Sequence, residues 1–213
     1  MELRPAPERS AGAGMSGLLL EPNEPQGLGT AELFVEEIPP LTALATRAGL
    51  AVLAAADWPE PGDEELPKLA GFVHSSFNPL VAATAGRCLQ RRAESAPPAV
   101  TAIVLVTALG DVASAAHVAG AVDTGGRVGP LFFFQSVPNA VAGHVAARWQ
   151  LTGPVVCVDS TDAGLSVARL LLADGDAGEV LLVLLEQATV PEAVTGTSHD
   201  TAAAVLVTER GAS

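Results

Sequence analysis

Two stretches, residues 100–108 (VTAIVLVTA) and Glu179–Glu186 (EVLLVLLE), carry apolar side chains without alternation. A strand covered on one face alternates apolar and polar positions. A strand with no polar alternation belongs in a sheet covered on both faces. Helical segments fall between such strands at 79–92, 111–122, 139–150 and 162–173. Further strands are expected at 155–159 and 202–208. This order predicts an α/β fold with a mainly parallel sheet and helices on both faces.

The earlier part of the chain is less sharply patterned. Residues 1–14 read as a disordered tail, so that translation starts at either Met1 or Met15, and 15–213 reads as one domain. A short strand is expected at 16–21 and a Pro/Gly loop at 22–33. Residues 41–56 carry Ala and Leu at helical spacing, interrupted by Gly49. Residues 57–67 form an acidic, Pro-rich loop. Asn78 is placed to cap the helix that Pro79 opens.

Charge narrows the function. The net charge is −13, with 11 Lys and Arg against 24 Asp and Glu. No basic stripe is visible, which argues against nucleic acid and against an anionic membrane surface. The longest apolar runs are too short to span a bilayer. No apolar signal core follows the charged N-terminus, so a cytoplasmic protein is expected. Cys88 and Cys157 make no disulfide framework and read as buried thiols. No phosphate loop, dinucleotide fingerprint or metal spacing appears, so neither cofactor nor metal is expected. Asp111 reads as a helix cap, Gly125-Gly126 as a turn, and His144 as a packed, hydrogen-bonded side chain. His199 and Asp200, adjacent at a strand entrance, are weak candidates for an acid/base pair.

The segment 162–173 (DAGLSVARLLLA) is apolar almost all round, broken only by Ser166 and Arg169. Such a helix calls for cover on both sides. Its own sheet supplies one side. The other falls to a second chain or to an N-terminal helix at 41–56.

The block SVPNAVAGHVAARWQLTGP, residues 136–154, resembles the N-terminal half of the β-ketoacyl synthases, condensing enzymes of the thiolase fold. That family carries S-x-x-N-x-x-A-G-H, a helix, then L-x-G-P. Ser136, Asn139, Ala142, Gly143, His144, Leu151, Gly153 and Pro154 meet the pattern. The resemblance runs on through Asp174-Gly175-Asp176-Ala177 and the strand after it. Upstream it includes IVLVTALGDV (103–112), and at the end HDTAAAVLVTE (199–209), covering roughly residues 70–209. It implies half of a thiolase-like fold.

Two departures bear on activity. The family's nucleophilic Cys stands nine residues after the Gly of L-x-G-P, and that count from Gly153 lands on Asp162. Cys157 lies earlier, inside the strand. The chain also stops where the family's first half stops, short of the half that bears the two catalytic histidines. A carboxylate at a helix N-terminus is stabilised as the anion, which makes it a poorer base. Its attack on a thioester would give a reactive anhydride. Asp162 is therefore either a helix N-cap or an acid/base group.

The resemblance implies a chain-length-factor-like accessory subunit, without its own condensing activity, in bacterial polyketide or fatty-acid-like biosynthesis. Its partner is a full-length ketosynthase or a second copy, paired through Val155, Val156, Cys157, Val158 and Asp159. An acyl carrier protein is a further partner, docked on Arg87, Arg91, Arg92, Arg127 or Arg148 unless these are solvated or paired with carboxylates. The alternative is a small thiolase-fold isomerase, dehydratase or cyclase using Asp162. A decaying fragment is a third reading, against which the well-formed helix punctuation speaks.

Overall fold

The computed structural model describes residues 39–93, 99–188 and 199–211. All belong to the second of two compact units, Ile38–Ser213. The tail, strand and loop expected at 1–33 lie outside the described residues. Chain order is α1 (Leu41–Arg47), β1 (Leu50–Trp58), α2 (Phe77–Gln90), β2 (Thr101–Val106), α3 (Val112–Asp123) and α4 (Pro130–Gln135). Then follow α5 (Pro138–Trp149), β3 (Val155–Val158), α6 (Thr161–Ala173), β4 (Glu179–Glu186) and β5 (Thr201–Glu209).

The described strands form one sheet in the order β1-β5-β4-β2-β3. β2 runs parallel to β3 and β4, while β5 is antiparallel to β4 and β1. All six residues of β2 are buried, as the unbroken apolar run requires. Ile103, Leu105, Leu181, Val183 and Leu185 face the layer of α2 and α5. Val104, Val106, Val180 and Leu182 face the layer of α1 and α6. Each fully buried aliphatic side chain contributes about 1.5–3 kcal/mol.

Several expectations are corrected. Residues 41–56 are not one helix. Gly49, at φ 85°, ends α1, and the chain turns into β1. With almost every residue apolar, that stretch fits either period, and pairing with β5 decides it. β1 is an edge strand with an irregular register between Val52 and Ala54. Two of its carbonyls are occupied from α2 and its C-cap: Arg91 donates to Ala55 O and Arg87 to Asp57 O, each at 2.9 Å.

Asn78 does not cap α2, whose N-cap is Ser76. Asn78 is buried in the first turn, and its Nδ2 donates to Gln135 O at 3.3 Å. α4 is a short helix in a stretch to which the sequence assigned no element. α6 is one-sided. Gly164, Leu165, Ala168, Leu171 and Leu172 are buried, while Asp162, Ser166, Arg169, Leu170 and Ala173 form an exposed stripe. One leucine and one alanine among polar side chains do not require a second layer. No described helix is long and apolar enough to cross a membrane.

Candidate functional site

The turn from β3 into α6 occupies the place where the resemblance puts a nucleophile. Gly153 brings the chain there. Its N–H donates to Thr101 O at 3.1 Å, and a Cβ on it would stand 2.5 Å from that oxygen. Only glycine lets β3 approach β2 this closely. Gly164 serves α6 in the same way, since a Cβ would stand 2.6 Å from Val106 Cγ2.

The cap of α6 is Ser160, whose side chain accepts from Ala163 N at 3.4 Å. Asp162 is therefore not the N-cap. It sits in the first turn, exposed, with no hydrogen bond or ion pair among the described residues. Nothing there would orient it as an acid or base.

β3 is the other edge of the sheet, paired on one side to β2. Ile103 N donates to Pro154 O and Thr107 N to Val158 O. Backbone groups alternate in direction along a strand, so those of Val155 and Cys157 point away from the sheet. Their side chains are exposed as well, Val155 at 37%. Val156 and Val158 are half-buried, and Asp159 is exposed beyond the strand. Cys157 is thus not a buried thiol, because it stands on the edge strand of the sheet. Desolvation by its neighbours still raises its pKa. Cys88 is buried, and desolvation pushes its thiol up to about 12. Neither is a thiolate at neutral pH.

A polar network that the sequence did not reveal spans the C-terminal ends of β2 and β4. Asp111, buried, caps α3. It accepts from Ser75 Oγ at 2.6 Å, Ser114 Oγ at 2.7 Å and Ser114 N at 3.0 Å. Gln187 Nε2 donates to Ser75 Oγ and Ser76 Oγ at 3.2 and 3.1 Å, and its Oε1 accepts from Val112 N at 3.1 Å. Ser76 Oγ donates in turn to Asp200, which also accepts from Ala188 N. Asp200 is thereby engaged in loop anchoring. Beside the network, Thr107, Leu109, Gly110, Val112, Leu185 and Gln187 help line a cleft of about 190 Å³. Binding pockets for whole small molecules run to about 300–1,000 Å³. Asp162 does not line this one.

Apolar exposure concentrates on α3, α4 and the loops beside them. Leu109 is 71% exposed, Phe133 75% and Phe134 65%; Val122 and Val137 are exposed too. Ser114 is the buried residue of α3. Beyond its cap, α3 is held by His117, which stacks on His74 and Phe132 at 4.9 Å between ring centroids. Among the described residues, more large apolar side chains are exposed on this surface than on α6, where Leu170 is the exposed one. The sequence hid it because a small-residue helix reads alike whether buried or bare.

Three of the five expected docking arginines are paired within the chain. Arg87 meets Asp63 at 2.8 Å, Arg91 meets Glu60 at 2.7 Å, and Arg92 meets the buried Glu179 at 2.8 Å. The hydrogen bond from Arg91 is the main cause that holds Glu60 down at about 2. Arg127 and Arg148 are exposed and make no ion pair among the described residues. His144 is half-buried against Phe72, edge to face at 6.1 Å, and among the described residues the expected hydrogen bond is not made.

No model of a known protein family matches the chain, and no curated protein matches it. Solved structures do. The chain is similar to a ketosynthase (ApeO) in complex with its chain length factor (ApeC) from Xenorhabdus doucetiae. The TM-score is 0.61 and identity 18%, over 76% of this chain and 79% of that one. It is similar to the ishigamide ketosynthase/chain length factor, with TM-score 0.57 and 21% identity over 72% of this chain and 49% of that one. It is also similar to AntDE:AntF, a type II PKS acyl-carrier protein in complex with its ketosynthase, with TM-score 0.52 and 12% identity over 76% and 63%. The chain thus spans about half the length of the second match and 63% of the third. What these likenesses share with it is architecture: the chain adopts the thiolase-like fold of ketosynthase complexes.

Proposed function

We propose that this chain is a non-catalytic, ketosynthase-like subunit that pairs with an active ketosynthase in polyketide or fatty-acid-like biosynthesis. The observation that carries the proposal is the bare edge of β3, where the backbone groups of Val155 and Cys157 point outward beside exposed side chains. An unpaired edge strand is a template for another strand. The uncovered α3–α4 surface adds apolar area for the same purpose. One further fact supports the non-catalytic part. The residue at the nucleophile's place is an exposed carboxylate without partners among the described residues. The matched chain of the first similar structure has nearly this chain's length, since the alignment covers 76% of this chain and 79% of that one.

The test is co-expression with a Cys-containing ketosynthase from the same source, followed by sedimentation of the purified mixture. Cys157→Pro removes an outward donor while sparing the bonds to β2, and edge strands accept proline. The expected result is a one-to-one complex that this variant abolishes without lowering the melting temperature of the free subunit. A complex that persists in Cys157→Pro would overturn the β3 edge as its seat. Asp162→Asn is expected to leave both assembly and product formation unchanged. If it stopped product formation in the intact complex, the enzyme reading would replace this one.

A further inference from the structure

α3 is a helix with little to hold it. Ser114 is its one buried residue, and no strand or other helix packs closely along it. At 12 residues it is too short to be stable alone, and such helices draw their stability from a packed apolar face. α3 presents small residues and an exposed Val122 instead. Two side chains pin it. Asp111 caps its first turn. About one turn beyond Ser114, His117 meets the ring of His74, in the loop before α2, and both rings rest on the buried Phe132.

The two imidazoles have the spacing of a chelating pair. Their ring centroids are 4.9 Å apart, with 32° between the ring planes. A metal ion held at ~2.0–2.1 Å from one nitrogen of each ring sets the ring centres roughly 4.5 Å apart at a right-angled coordination angle and roughly 5.2 Å apart at a tetrahedral one. The observed separation falls between these. Both side chains are exposed, and neither makes a hydrogen bond or ion pair among the described residues. Each neutral ring therefore has a nitrogen lone pair to give. The net charge of −13 favours a cation. Lys68 is the one cationic side chain lining the hollow beside His74, and the exposed Glu64 and Glu65 precede it in the chain. Among the described residues no third His, Cys, Asp or Glu joins the pair, so water completes the coordination sphere.

We propose that His74 and His117 together bind a divalent transition-metal ion, which clips α3 to the loop before α2. Two neutral imidazoles suit Zn²⁺, Ni²⁺ and Cu²⁺, whereas Mg²⁺ and Ca²⁺ take oxygen ligands. The ion supplies by coordination the anchorage that α3 does not obtain from apolar packing. The two residues lie far apart in the sequence, so no ligand spacing announces them. Neither lies on β3, and the inference stands whether or not the chain pairs with a ketosynthase.

The test is isothermal titration of the whole chain, free of any affinity tag and stripped with EDTA, with zinc chloride. The expected result is one Zn²⁺ per chain with a Kd of roughly 10 µM. Cu²⁺ should bind more tightly and Mg²⁺ not at all. His74→Gln and His117→Gln should each weaken zinc binding at least about tenfold, with the melting temperature of the metal-free chain held within about 2 °C. His144→Gln and His199→Gln should leave binding unchanged. Hydrogen exchange reads the clip itself: zinc should slow exchange across α3 in the parent chain and not in His117→Gln. Zinc affinity retained in both His74→Gln and His117→Gln, or lost equally in the two controls, would overturn the site. Zinc binding that leaves exchange across α3 unchanged would overturn the clip. Should His117→Gln loosen α3 without metal, His74→Gln, which leaves the helix sequence intact, gives the deciding titration.

Discussion

Cys88 and Cys157 show how position sets the chemistry of one residue type. Cys88 is sealed in the core between α2 and the sheet, and Cys157 stands on an edge. Ellman's reagent on the native subunit is expected to titrate one thiol, Cys157, and slowly, because its raised pKa leaves little thiolate. Cys88 should react only after denaturation. A bound strand partner should protect Cys157. Two fast equivalents in native protein would contradict the placement of both. The sequence located Asp162 at the key turn by counting from Gly153. It could not place the cap at Ser160, because Ser160, Thr161 and Asp162 all suit that position and backbone geometry alone chooses among them.

At the scale of elements, the β2–β3 ladder depends on glycine. Gly153→Ala places a methyl against the Thr101 backbone, which cannot rotate away. The expected loss is about 1–3 kcal/mol, read by urea denaturation. The loop after β1 depends on ion pairs. The Glu60 carboxyl falls from its ordinary 4.5 to about 2 in the folded chain, first through its hydrogen bond to Arg91. A lowered folded-state value means the stabilisation is complete above pH 4.5 and is lost as the pH falls from 4.5 toward 2. Side-chain exposure of 24% lets solvent screen the pair, so Glu60→Gln should cost about 1 kcal/mol at neutral pH and almost nothing at the acid end. A cost independent of pH would assign it to packing.

Elements with a single consistent period, β2, β4 and β5, were legible in the sequence. Residues 41–56 were not, since a run of Ala, Val and Leu satisfies both periods until a neighbour strand selects one. The network of Ser75, Ser76, Asp111, Gln187 and Asp200 was not legible either. Its members come from four separate stretches of sequence and meet only once the sheet is assembled.

For the whole molecule, the α/β layering followed from apolar runs and their spacing, whereas the partner surface did not. The sequence pointed to α6 as the helix needing a second layer. The exposed apolar area lies instead on α3 and α4. Phe133→Asp with Phe134→Asp is expected to leave the melting temperature of the free subunit within about 2 °C, since surface changes cost little. The same change should weaken association with the partner at least about tenfold in sedimentation. Unchanged association would confine the interface to β3.

The two margins of the described sheet differ in a way that bears on how many further strands the sheet can take. β1 is spoiled for further pairing by its irregular register and by arginines seated on its carbonyls. β3 has no such guard. In the language of polymer growth, the subunit has a valence of one. Among the described residues, joining another sheet at β3 uses up the one unguarded strand edge, so strand-to-strand pairing stops at two sheets.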